Sequence, residues 1–275
     1  MNVQPKPAQQ PPPGFGRGLD WLRQGSVLLA AQPLRLLLLG LVLQLLAGVS
    51  QAGVLGFVFL LVAPAFGAGM LQAMQLVRAG GRPTLASLFV AFAAPASLGR
   101  LVLLGALGIG FAIIAMAMVL SGAAVEFDPA LLQRLEAGDA SAVTELDPAL
   151  LQGALLGLGF GMLLAGTLAY YAVPLSWFRG LSVGRAIVQG LAGMVRAWRP
   201  LLVLGLMLGL LSLPGAILLA FSLLGGVGQS VFLTLPMLLL VVAFQLLLFA
   251  TQYVSFVDIF GAPENPPQPL DQLVA

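Results

Sequence analysis

The stretch Ser182-Val-Gly-Arg-Ala-Ile-Val-Gln-Gly-Leu-Ala-Gly-Met-Val-Arg-Ala-Trp-Arg-Pro-Leu-Leu-Val-Leu-Gly-Leu-Met-Leu-Gly209 decides how the chain is to be read. Its apolar residues Val183, Ile187, Leu191, Met194, Val195 and Trp198 recur at spacings of three and four, with Arg185, Gln189, Arg196 and Arg199 on the other side. That is the period of an amphipathic helix. Arginines on one face and a tryptophan on the other suit a helix lying flat among lipid headgroups, where guanidinium meets anionic phosphate and indole sits at the boundary. Arg185, Arg196, Trp198 and Arg199 are therefore the expected membrane-surface residues. Pro200 is expected to break the register, and a charge-free apolar run begins at Leu201. Amphipathic helix, proline and apolar run together predict an integral membrane protein.

Composition agrees. Of 275 residues 60% are hydrophobic and 8% charged, with a mean hydropathy of +1.04, where a soluble domain carries roughly 25% charge. With no Cys and no His, disulfides and thiolate chemistry are excluded, and the commonest general base and most transition-metal sites are lost. No catalytic residue, metal or cofactor is expected.

Worked outward from this stretch, the chain is expected to be all-α, with six transmembrane helices arranged as three hairpins, each preceded by a short amphipathic interfacial helix. Residues 1–19 are rich in Pro and Gln and read as a disordered tail. The first hydrophobic run begins only after about thirty polar, Pro-rich residues, a leader too long and too weakly basic for a secretory signal peptide, so the N-terminus is expected to be retained. The membrane domain covers 20–257, with spans near 34–50, 53–77, 101–121, 148–177, 201–224 and 231–257. A second disordered tail fills 258–275. The Asp20–Gln32 segment is a weaker copy of the opening unit, ended by Pro33. A third begins at Thr84, a helix N-cap residue, carries Leu85, Leu88, Phe89 and Phe92, and ends at Pro95. The repeat is one of pattern rather than of residue identity. Pro64, Pro214 and Pro236 fall inside spans and predict kinks.

The longest connection is acidic. It holds Glu126, Asp128, Glu136, Asp139 and Glu145, and its Asp128-Pro-Ala-Leu-Leu-Gln recurs from Asp147. Each copy places Asp at an N-cap and Pro at the first helical position, so capping and solvation explain these carboxylates better than a cation site does. Alternating the six spans puts Lys6, Arg17, Arg23, Arg35, Arg78, Arg82, Arg100, Arg179, Arg185, Arg196 and Arg199 on one side and Arg134 alone on the other, eleven of the 12 basic residues. The positive-inside rule makes that side cytoplasmic, with both termini inside.

Four stretches carry a resemblance: Gly18-Leu-Asp-Trp-Leu-Arg-Gln-Gly25, Arg82-Pro-Thr-Leu-Ala-Ser-Leu-Phe89, Arg196-Ala-Trp-Arg-Pro200 and Tyr253-Val-Ser-Phe-Val-Asp-Ile-Phe-Gly261. With them the chain resembles a family of uncharacterised bacterial inner-membrane proteins with six predicted transmembrane helices. The resemblance implies a helical bacterial inner-membrane protein and transfers no activity. Members of that family tend to carry a basic residue just before the last Asp, where this chain has Val257.

Two functions are weighed. Gly153, Gly157, Gly161 and Ala165 fall at every fourth position of the fourth span and leave one face almost bare, which suits close helix packing. This favours a non-enzymatic component that organises or assembles the membrane, with a second copy or a membrane protein as partner. The alternative is a facilitator or transporter subunit for a small or lipidic substrate, motivated by the kink prolines and by Tyr170, Tyr171, Gln252 and Tyr253 as candidate contacts near the inner surface. Interface anchoring competes as a reading of these tyrosines. Basic residues along the membrane surface favour anionic lipid over nucleic acid as a partner.

Overall fold

Lipid offers a backbone no hydrogen bonds, so a chain of this composition must satisfy its amides internally. It does so with helices. The computed structural model describes residues 14–49, 54–122, 148–224 and 231–263, and no strand occurs among them. In order they form α1 (Arg17–Ala31), α2 (Pro33–Val49), α3 (Val54–Arg78), a 3-10 segment (Leu85–Ala93), α4 (Pro95–Gly122), α5 (Pro148–Phe178), α6 (Val183–Arg196), α7 (Trp198–Leu224) and α8 (Val231–Phe260). The acidic connection 123–147, most of both Pro-rich tails and the turns 50–53 and 225–230 lie outside the described residues, and so do the readings placed on them.

Helices α3, α4, α5, α7 and α8 are each long and apolar enough to cross a membrane. At 17 residues, α2 sits at the lower limit; taken with α1, from which it departs at 98°, it makes a sixth candidate span. These lengths make the chain a multi-pass membrane protein. Helix α8 is the hub and packs against α1, α2, α3, α5 and α7, while the most extensive single contact is between α4 and α5. The larger core joins α2, α3, α5 and α8, and a smaller one gathers Trp21, Ala197, Leu204, Leu208 and Val254.

Proline punctuates the fold mostly as expected. Pro33, Pro95 and Pro148 open helices, where their missing amide hydrogen removes no bond, and Pro64, Pro214 and Pro236 lie inside helices, as Pro174 also does. Pro200 behaves otherwise. The break falls at Ala197 (φ −106°, ψ 24°) and α7 begins at Trp198, so Pro200 lies in its first turn. Trp198 and Arg199 thus belong to the long helix rather than to the amphipathic one.

The segment after Thr84 is a 3-10 helix, with the Thr84 amide donating to Ser87 Oγ at 3.2 Å. It presses on α3 at Gly69, where any side chain would collide with the Leu88 backbone. Two stretches read in sequence as tail fall within the described residues. Arg17–Leu19 and Asp258–Phe260 are helical, because each end of the chain finds its partner in the other.

Candidate functional site

At one end of the bundle the two termini are clasped together. Trp21 is fully buried and its indole N–H donates to Asp258 Oδ2 at 3.0 Å. Arg17 adds a two-pronged hydrogen bond to the same carboxylate, with Nε 2.9 Å from Oδ2 and Nη2 paired with Oδ1. Gly18 makes this approach feasible, since a Cβ there would strike the Pro200 carbonyl, and Gly25 lies close against the Thr251 backbone. Three of the four stretches that carry the family resemblance therefore meet at one place. The residue just before Asp258 is Val257 rather than a basic one. Asp258 takes its cation instead from Arg17, far away in sequence, while Val257 packs on the core.

At the same end Arg179 donates to the Phe260 carbonyl, Gln32 Nε2 donates to the Gly81 carbonyl at 2.6 Å, and Arg78 lies 5.9 Å from the centre of the Tyr253 ring. These contacts gather Arg17, Arg78 and Arg179 at one end of the bundle.

Between α3, α4, α5 and α8 lies a cavity of about 460 Å³, and it begins at a proline. Pro64 has no amide hydrogen, so the carbonyl of Leu60, four residues before it, loses its helical partner. Gly105 on α4 fits against the carbonyls of Leu60 and Leu61 so closely that a side chain would overlap them. Around this contact the walls are made of small residues, among them Gly67, Gly108, Ala165 and Gly166. Small side chains on three helices leave the volume that a row of leucines would fill.

The lining is apolar except for Tyr170, Gln245 and Gln252. The Gln252 side-chain amide donates to the Tyr170 carbonyl at 2.6 Å, and the Tyr170 hydroxyl is 3.2 Å from Ser255 Oγ. Gln245 differs, because its amide oxygen is buried and has no hydrogen-bond partner among the described residues. An unpaired buried acceptor costs about 1–3 kcal/mol.

Of the four candidate substrate contacts, the structure brings Tyr170 and Gln252 together on the cavity wall. Tyr171 is fully buried elsewhere, its ring 5.3 Å from that of Phe260 and its backbone against Gly190. Tyr253 faces Arg78 and Phe178. Gln245 was absent from the candidates, although it lies seven residues before Gln252 and hence on the same face of α8.

The small-residue series lies largely against α4. A Cβ on Gly161 would come within 2.5 Å of Ala112 Cα, and one on Gly108 within 3.5 Å of Ala165 Cβ. Gly157 is buried and Gly153 half-buried. Among the surface residues, Arg185, Arg196, Trp198 and Arg199 are all exposed. Arg185 Nε reaches Ser182 Oγ at 3.1 Å, while Arg199 lies over both Trp198 (5.5 Å) and Phe15 (5.7 Å). Among the described residues no three His, Cys, Asp or Glu side chains converge.

Compared with family models, curated proteins and solved structures, the chain finds no match. The resemblance noted above thus extends to a helical membrane architecture, and function must be read from the cavity itself.

Proposed function

We propose that the protein is a non-enzymatic, bacterial inner-membrane protein that binds a small lipidic molecule in the cavity between α3, α4, α5 and α8 and facilitates its passage or transfer. On this reading six spans form three hairpins, with both termini cytoplasmic. The hairpin partners α2 and α3, α4 and α5, and α7 and α8 are each in contact, and the gathering of Arg17, Arg78 and Arg179 at one end supports the orientation. Gln245 is the observation that carries the proposal. An acceptor left unpaired on an apolar wall in the middle of a span calls for a ligand that is mostly apolar and brings one hydroxyl or N–H donor. The reading is favoured over an assembly role because Gly161 and Ala165, which motivated that role, lie against α4 of the same chain.

Gln245→Leu separates ligand binding from folding. Removing an unpaired amide should leave thermal stability unchanged or raise it by about 1–3 kcal/mol. Protein isolated with its native lipids should release a reproducible small molecule on mass spectrometry, and the variant should lose it. Equal recovery from both proteins, or none from either, would overturn the proposal.

A further inference from the structure

A second cavity, of about 490 Å³, lies under α1, at the end of the bundle where the basic residues gather. Its floor is apolar and includes Val77 on α3 and Val254 on α8, both buried. Asp20, Arg23 and Gln24 on α1 and Arg78 on α3 form its polar rim. Arg78 is also the last residue of a candidate span, which puts it at the depth where hydrocarbon gives way to headgroups. The Tyr253 ring, 5.9 Å away, holds its guanidinium by cation–π attraction.

We propose that this cavity is a binding site for the headgroup of an anionic glycerophospholipid, separate from the intrabundle cavity. Two guanidinium forks suit the oxygens of a phosphate. Arg23 and Arg78 against Asp20 leave the rim a net charge of +1, which complements a phosphodiester of charge −1 better than a phosphomonoester of charge near −2. Asp20 offers an acceptor to a headgroup hydroxyl, and Val77, Val254 and Leu28 offer apolar surface to the start of the acyl chains. Phosphatidylglycerol has all three features. Phosphatidylcholine shares the phosphodiester and the acyl chains, but its cationic headgroup cancels the negative charge and carries no hydroxyl.

The test uses the full chain in detergent, with native mass spectrometry reading bound phosphatidylglycerol, phosphatidylcholine or phosphatidic acid, and inorganic phosphate as a competitor. Phosphatidylglycerol is expected to bind best, and Arg23→Gln with Arg78→Gln should weaken it roughly tenfold or more. Arg185→Gln, which lies outside the cavity, should leave binding unchanged. Arg78→Lys keeps the charge without the fork and serves if the double variant fails to fold; it should give an intermediate loss. Equal binding of phosphatidylcholine, an equal loss on Arg185→Gln, or full displacement by millimolar inorganic phosphate would each overturn the proposal. The first two results would indicate general membrane attraction and the third a soluble phosphate ligand.

Discussion

Replacing Trp21 with Ala is expected to destabilise the protein by about 3–5 kcal/mol, the range for loss of a buried tryptophan. The indole fills the space between α7 and α8 against Ala197, Leu204, Leu208 and Val254, so its removal leaves a cavity at the meeting point of three helices. Its partner Asp258 matters less in energy than the number of hydrogen bonds suggests. The Arg17–Asp258 pair keeps solvent access, and exposed ion pairs contribute about 0–1 kcal/mol. The order of effects should therefore be Trp21→Ala above Trp21→Phe, which keeps one six-membered aromatic ring but loses the pyrrole ring with its N–H bond, and Arg17→Gln least. Unfolding in mixed micelles, followed by helical circular dichroism, reads the series. A Trp21→Ala protein that unfolds with the parent, or an Arg17→Gln protein that loses more than Trp21→Ala, would show that α1 is not docked as described.

How much of this was legible follows from what lipid does to sequence patterns. Helix boundaries at Pro33, Pro95 and Pro148 were legible because proline acts locally, through its own ring and missing amide hydrogen. The surface of α6 was not. The expected lipid-facing stripe of Val183, Ile187, Leu191, Met194, Val195 and Trp198 leaves Leu191 38% and Val195 73% exposed, but Val183 is buried, and the stripe did not say which residues pack on the bundle. The buried line is Val183, Ala186, Gly190 and Gly193, with Gly190 against Tyr171 and Gly193 against Phe260. In water, large apolar residues mark the core. Next to lipid they do not, because acyl chains are as apolar as a neighbouring helix, and small size rather than hydropathy marks the face that packs. The same reasoning made the small-residue series of α5 visible in sequence without saying which helix it meets. The Arg17–Trp21–Asp258 clasp lay hidden for another reason. Asp258 is separated from Arg17 and Trp21 by most of the chain, and no local period links it to them.

Gly161→Leu is expected to force α4 and α5 apart and to lower stability by about 1–3 kcal/mol or more, the usual consequence of overpacking. The Cβ would meet the α4 backbone at Ala112 as well as the Ala115 side chain, and backbone cannot rotate away. Gly159→Leu, two residues earlier on the same helix, meets nothing within 4 Å and should be tolerated. A destabilised Gly161→Leu protein alone does not say whether the face packs within one chain or between two. The absence of native cysteine permits a direct answer. A Cβ on Gly108 lies 3.5 Å from Ala165 Cβ, at the short end of the separation that a disulfide bridges. The double variant Gly108→Cys with Ala165→Cys should therefore oxidise to a crosslinked monomer on a non-reducing gel. A crosslinked dimer would place α4 of one copy against α5 of another and restore the assembly reading. A monomer leaves the small-residue face inside the chain, where Ala165 also lines the intrabundle cavity. The bridge would then shrink that cavity, and ligand retention should fall on oxidation and return on reduction.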